Sequence, residues 1–336
     1  MVCSKNVGQV YPSVSFIIPT YNVGDILTGC LDSIRKQDYP QEKIEIIVVD
    51  GGSKDETIQI AKSYYATVIS EKTGRPEAAT AIGYKNAKGE LIVNLPTDNI
   101  IPDRNWLKQM AEPFARYSET VAAQTLRYTY DRTLGLLDRY FALFGVNDPL
   151  AYYLGKRDRI SWIESDFVPF GKAKDIGNFF MVEVDPSEIP TLGANGYIVK
   201  REIIQKFIDN VFDFFHIDSN VDMIRKGYNK YAIVKNGIIH RSGEKLSKYY
   251  YKRIRYSVVY FKDKMRRRYH LYDSSRDKIK LLGFILFSLT FLRTTYDAIR
   301  GYKKVRDMAW FLNPIMCFGI VLCYAIINIL FLLKFI

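Results

Sequence analysis

Cysteine is scarce in this chain: four residues in 336, Cys3, Cys30, Cys317 and Cys323, with no spacing that suits a metal. That excludes a disulfide framework and a thiolate-bound zinc, and reads as reduced, structural thiols. No secretory leader is read either. The first apolar stretch, Val14 to Ile18, is far too short for one, so a cytosolic catalytic domain is expected. Internal repeats and low-complexity linkers are absent. An apolar content of 48% with 25% charged residues excludes a disordered chain, and 336 residues suit one large domain or two ordinary ones.

Acidic residues are missing from one region in particular. Residues 241–306 hold 19 Lys/Arg against 5 Asp/Glu, whereas residues 1–240 hold 28 against 30. The net charge of +12 is therefore one basic block behind a nearly neutral domain. Such a block can meet nucleic acid or an anionic membrane surface. The carboxyl-terminal segment decides between them: from Asn313 to Leu333 there is no charge, within an apolar run from Trp310 to Phe335. That length crosses a hydrocarbon core of about 30 Å as a helix, so membrane contact is expected and nucleic acid is not. A shorter apolar run, Ile279 to Leu292, is followed by Arg293, Arg300, Lys303, Lys304 and Arg306. Carrying those charges across would oppose the positive-inside tendency, so an in-plane or re-entrant segment is expected, a two-span hairpin being the alternative.

Residues 14–126 alternate between strand and helix patterns. Strands are predicted at Val14–Ile18, Ile44–Val49, Thr67–Ser70, Leu91–Leu95 and Thr120–Leu126, and helices at Asp25–Gln37, Asp55–Tyr65, Pro76–Asn86 and Asp103–Tyr117. This βαβ rhythm predicts a mostly parallel sheet. From Tyr128 to Asp185 the pattern weakens. Beyond it come a turn at Gly193–Gly196, a strand at Tyr197–Val199, helices at Arg201–Asn210 and Ser219–Lys226, and a strand at Lys230–Val234. Leu246 to about Tyr269 reads as a basic amphipathic helix with Tyr249, Tyr250, Tyr256 and Tyr260 among its apolar positions. The first two strands end in Pro19-Thr20-Tyr21-Asn22 and Asp50-Gly51-Gly52-Ser53-Lys54-Asp55. Ligands bind at the carboxyl ends of such strands, so these loops should share one crevice.

Those two loops, followed by Gly89-Glu90-Leu91-Ile92-Val93-Asn94-Leu95-Pro96-Thr97-Asp98, resemble glycosyltransferase family 2 in order and spacing. The resemblance is strongest over residues 14–110. It implies a GT-A fold, Rossmann-like with a mostly parallel mixed sheet, a nucleotide-sugar donor and inverting transfer. It also implies that Pro19, Thr20, Tyr21, Asn22 and Asp50 hold the nucleoside. Physically, Tyr21 offers a flat face for a base, worth about 1–3 kcal/mol by stacking, and Asp50 can accept from a base N–H. Asp50 and Ser53 could equally cap the following helix. Arg75, just before a helix start, would meet a diphosphate there.

Where the family carries Asp-x-Asp, this chain has Pro96 and Asp98, with Asn99 alongside. One carboxylate plus donor phosphates can hold Mg²⁺ or Mn²⁺, but the incomplete motif leaves metal dependence open. Asp98 and His240 are the candidate metal ligands. An inverting transfer to a hydroxyl needs a base. The family's acidic pair is not intact in Phe215-His216-Ile217-Asp218-Ser219-Asn220-Val221-Asp222, so Asp218 is the expected base, opening a helix onto the cleft, with Asp222 second. The loop Gly193-Ala194-Asn195-Gly196 resembles the acceptor side. Lys252-Arg253-Ile254-Arg255-Tyr256 is a partial match to Gln-x-x-Arg-Trp, which puts Arg255 by the leaving diphosphate.

The domain organisation expected is therefore a GT-A domain over 1–240, a basic amphipathic membrane-surface region over 241–308 and a transmembrane helix over 309–336. The expected activity is sugar transfer from a nucleotide-diphosphate donor to a lipid-linked, polyprenyl-type or glycan acceptor at the cytoplasmic face of the cell membrane. Alternatives are a processive polysaccharide synthase, disfavoured by the single convincing span, and a non-catalytic nucleotide-sugar-binding protein.

Overall fold

The computed structural model describes residues 11–167, 169–243, 245–263, 266–271 and 275–333, with the side chains of 259–263 excepted. Cys3, Lys334 and the side chain of Tyr260 lie outside the described residues. The chain opens β1 (Val14–Thr20), α1 (Gly24–Arg35), β2 (Ile44–Asp50), α2 (Thr57–Ser63), β3 (Thr67–Ser70), α3 (Pro76–Asn86) and β4 (Leu91–Asn94). Next come β5 (Asn99–Ile100), α4 (Trp106–Arg116), β6 (Ala122–Tyr128), α5 (Leu136–Phe144) and α6 (Pro149–Leu154). The hairpin β7 (Gly171–Asp175) and β8 (Phe179–Val184) precedes β9 (Tyr197–Lys200), α7 (Arg201–Ile204), α8 (His216–Arg225) and β10 (Lys230–His240). Four further helices close the described chain: α9 (Leu246–Asp263), α10 (Ser275–Thr290), α11 (Leu292–Lys304) and α12 (Leu312–Leu332).

Two compact units result, and their boundaries cut across the linear division expected from sequence. The first comprises the described residues of Met1–Thr125 with Gly171–Val184 and Gly193–Ile238. The second comprises Leu126–Phe170, Asp185–Leu192 and the described residues of Ile239–Ile336. The weakly patterned stretch after Tyr128 therefore divides, with Leu126–Phe170 packing with the carboxyl-terminal helices and the β7–β8 hairpin with the sheet.

The sheet runs β3-β2-β1-β4-β9-β6-β10-β8-β7, with β5 beside β10. Its first four strands are mutually parallel. β1 and β2 are buried at nearly every position, as strands covered on both faces must be, which explains their unbroken apolar sequence. Leu27, Cys30, Leu31 and Ile34 form the buried stripe of α1 at helical spacing. Pro76 begins α3, where its missing N–H costs nothing. The register pairs Thr20 with Asp50, Asp50 with Ser70 and Ile17 with Asn94. The carboxyl ends of these strands therefore lie along one edge.

In the second unit an aromatic core joins Tyr140, Phe141 and Phe144 of α5 to Trp310 and to Met316 of α12. Asn313, at the start of α12, is fully buried and saturated: its amide donates to Tyr153 Oη (2.8 Å) and Thr294 O (2.9 Å), and its oxygen accepts from Tyr140 Oη (3.1 Å). Residues Met308–Leu332 are long and apolar enough to cross a membrane. α10 and α11 meet at 80°, the break falling at Phe291 with φ +60°. The sequence pattern suggests a basic loop after Leu292; the chain instead continues as α11, which buries Thr294, Asp297, Ala298 and Gly301.

Candidate active site

The loops after β1 and β2 are sewn together. Asp50, 2% exposed, ends β2 and accepts from Gly52 N–H (2.9 Å), Ser53 N–H (2.8 Å), Ser53 Oγ (2.5 Å) and Thr20 Oγ1 (3.1 Å). Those four bonds match the ordinary capacity of a carboxylate. Asp50 thus shapes its own loop and does not cap α2, which begins at Thr57; a base N–H would have to share one of its oxygens. Asn22, at φ +49°, accepts Lys54 N–H (2.9 Å), and its own N–H donates to Ser53 Oγ (2.8 Å). Asp55 accepts Thr57 Oγ1 (2.5 Å) and Gly24 N–H (3.1 Å), which holds its carboxyl below the usual range. Tyr21 stands out of this frame, 61% exposed, against Gly51. Pro19 is half-buried and Thr20 buried beneath it.

Sequence reasoning misses Glu71. It is 3% exposed, directly after β3, and its N–H donates to Asp50 O (2.7 Å). Its carboxylate accepts Thr73 N–H (2.6 Å), Gly74 N–H (2.8 Å) and the Thr73 hydroxyl. This turn delivers Arg75 to the start of α3, its guanidinium 6.0 Å from the Phe215 ring centroid.

A second constellation gathers around residues 193–195. Asn94 Nδ2 donates to Gly193 O (2.9 Å), and Asn99 Nδ2 donates to both Asp98 Oδ1 (2.8 Å) and Asn195 Oδ1 (3.1 Å). The Asp98 loop and the Gly193–Asn195 loop are thereby joined. Gly193 has φ +109°, and a Cβ there would sit 2.6 Å from Asn220 Nδ2 and 3.0 Å from His216 Cδ2. Only glycine permits this approach of loop to helix. Asn220 is the anchor beneath: it accepts from Tyr197 Oη (2.7 Å) and Tyr231 Oη (2.8 Å) and donates to His216 O (2.8 Å).

The expectation that Asp218 opens α8 onto the cleft is corrected. The helix starts at His216, and Asp218, inside the first turn, is fully buried. His216 occupies the start instead and is half-buried. Its Nδ1 lies 2.7 Å from Glu77 Oε1, its N–H donates to Glu77 Oε2 (3.0 Å), and its side chain is 28% exposed. Asp222 is half-buried one turn on. Arg255 is exposed on α9 of the second unit, whereas its neighbour Arg253 is anchored to Asp148 Oδ2 (3.2 Å) and Asn147 O (2.7 Å). His240, also in that unit, packs against the rings of Tyr128 (5.7 Å) and Phe141 (6.3 Å).

No group of three metal-ligating side chains occurs among the described residues, so Asp98 and His240 do not build a metal cage with a third. Asp98 does contribute a carboxylate at this edge. Burial first, and then its charge, push the neighbouring Cys30 thiol well up. One carboxylate can share an ion with donor phosphates. The donor set therefore fits a cation that arrives with its ligand, not a resident one.

The profile of Glycosyl transferase family 2 matches residues 15–172. Residues 15–172 are a family 2 glycosyltransferase domain. Among relatives, glycosyltransferase AglE of Haloferax volcanii is 26% identical over 174 residues, 50% of this chain and 56% of that protein. Poly(ribitol-phosphate) beta-N-acetylglucosaminyltransferase TarS of Staphylococcus aureus is 33% identical over 103 residues, 29% of this chain but 18% of TarS. The chain thus spans little more than half of one relative and a small part of the other. Mannosyltransferase PcManGT from Pyrobaculum calidifontis, solved with GDP-Man and Mn²⁺, superposes with a TM-score of 0.55 at 17% identity, covering 95% of this chain and 88% of that one. That likeness establishes the fold, and the mixed sheet with its parallel, site-bearing half is the GT-A arrangement expected from the family 2 motifs.

Proposed function

We propose that the protein is an inverting glycosyltransferase that moves a sugar from a nucleotide diphosphate to a lipid-linked or glycan acceptor at the cytoplasmic face of the cell membrane. One observation carries the reading: the exposed Tyr21 ring stands over a loop stitched by buried Asp50, on the same sheet edge as the joined Asp98 and Gly193–Asn195 loops. A base stacks on Tyr21 with its edge toward Asp50. The diphosphate runs toward the start of α3, where Arg75 and the first-turn amide N–H groups favour negative charge. A divalent cation, when bound, would neutralise diphosphate charge, and Asp98 is the residue to hold it.

The acceptor enters beside Gly193–Asn195. If a hydroxyl attacks, its proton goes to a base, and His216 is better placed than buried Asp218. With Nδ1 turned to Glu77, its Nε2 is the proton-accepting nitrogen. If a lipid phosphate attacks, its oxygen is already anionic and His216 is dispensable. Membrane attachment is supported by the apolar helix from Met308 to Leu332 and the basic sequence before it.

Thermal shift against a panel of nucleoside diphosphates, with and without Mn²⁺, tests the donor site. A shift lost in Tyr21→Ala is expected; no shift with any of them would refute the reading. Comparing transfer to polyprenyl-linked and soluble acceptors tests the rest, and equal rates would refute the lipid preference.

A further inference from the structure

The second unit contains a cavity of about 450 Å³ that the donor reading does not use. Its lining comes from residues 154–160, 167, 169–170, 187–188 and the first turns of α10. Five lining side chains are cationic and three are carboxylates. At the buried end Arg159 is 2% exposed, 2.7 Å from Asp158 and stacked 4.4 Å from the Tyr128 ring centroid. Arg157 is likewise engaged, by Glu164. These two cations are committed to the wall.

Lys280 is not, and Lys156 is held only by a longer ion pair. Lys156 is half-buried and ion-paired with Asp277 at 3.6 Å, a separation longer than a hydrogen bond. Lys280 Nζ donates to the carbonyl of Leu154 (3.1 Å) and has no carboxylate within ion-pair distance among the described residues. Each ammonium carries three donors, so both keep hydrogen-bonding capacity beyond these contacts. Arg276 adds a charge at the rim, 3.3 Å from Glu188. The first-turn amides of α10, a 16-residue helix, add partial positive charge on the same side. The five cations outnumber the three carboxylates, so a phosphate gains charge-assisted hydrogen bonds and is favoured over a cation.

The lining also has an apolar part, from Ile160, Phe167 and Phe170. Beyond the cavity α10 leaves Ile279, Leu282 and Leu286 at 70%, 68% and 58% exposure. A ligand that matches both features has a phosphate head and a long hydrocarbon tail. We infer that the cavity binds the phosphate or diphosphate head of a membrane lipid, Lys156 and Lys280 gripping the oxygens while the tail leaves along α10. The inference rests on the membrane part of the reading above and is independent of the donor site.

The test is equilibrium binding of a fluorescent polyprenyl monophosphate to the full chain in neutral detergent micelles. Lys280→Met is expected to weaken binding about tenfold. The double variant Lys156→Gln/Asp277→Asn, which removes a pair without stranding a buried charge, is expected to weaken it at least as much. Lys278→Met, on the same helix but outside the cavity lining, is expected to leave it unchanged. The uncharged polyprenol should not compete. Equal binding by all variants, or inorganic phosphate competing as strongly as the lipid, overturns the inference. The nucleotide thermal shift, measured on each variant, shows separately whether the donor site has failed.

Discussion

Replacing Gly193 by alanine tests how the acceptor loop is fitted to α8. At φ +109° an alanine pays backbone strain of about 1–3 kcal/mol. Its Cβ would also stand 2.6 Å from Asn220 Nδ2, so that amide must retreat by roughly 1 Å to regain ordinary contact. Asn220 cannot move freely, because Tyr197, Tyr231 and the His216 carbonyl hold it at 2.7–2.8 Å. Weakening those three buried bonds costs about 1 kcal/mol each, for a total near 4–6 kcal/mol with the strain. Gly52→Ala supplies the control: φ is +92° there, but nothing lies within 4 Å of the added Cβ. It should cost the strain alone. Denaturant unfolding of both variants in detergent, followed by circular dichroism, measures the difference. If the Gly193 substitution costs no more than the Gly52 one, the tight seat of the loop on Asn220 is wrong. Where the Gly193 variant folds, the acceptor KM should rise while nucleotide binding is retained.

Asp50→Asn can keep one oxygen on the two N–H groups but turns the other into a donor facing the Thr20 and Ser53 hydroxyls, and should cut nucleotide affinity by about tenfold in calorimetry. Asn313→Leu strands the buried hydroxyl of Tyr140, while Tyr153 keeps its bond to Asp297 (3.2 Å), and should destabilise the second unit by about 1–3 kcal/mol, read as faster amide exchange in α5. Burial alone would raise the pKa of Asp307, but bonds from Tyr130 Oη (2.6 Å) and the Ala309 amide, with Arg139 nearby, bring it below the ordinary value. A depressed folded-state pKa stabilises above the unfolded value, about 3.9, and that stability is lost as pH falls through the folded one. Tyr130→Phe should therefore lower the melting temperature at about pH 7, and the gap from wild type should narrow below about pH 4. Finally, Asp98→Asn should abolish any Mn²⁺-dependent part of the nucleotide thermal shift while sparing the ion-independent part.

The parallel half of the sheet is legible in the sequence because its signals are local. Thr67–Ser70 and Pro76–Asn86 can be placed to the residue, the first by β-branched sequence between turns, the second by its leading proline. α11 is not legible, since its buried face is Thr294, Asp297, Ala298 and Gly301. That face has helical spacing but no apolar residue larger than alanine, and exposed basic residues dominate the sequence. The site obeys the same rule. Thr20, Tyr21 and Asp50 are each visible within one strand and its loop. The His216–Glu77 pair joins residues 139 positions apart, and no local pattern announces it. Glu71 is a single acid after a short strand, and only its three loop donors reveal its task.

The stitching of the β1 and β2 loops has a thermodynamic consequence. Because Asn22, Asp50 and Ser53 already satisfy one another and Asp55 holds Gly24, a nucleotide meets a surface whose shape is set in advance. Little chain entropy is then surrendered on capture, and the association rate is governed by collision rather than rearrangement.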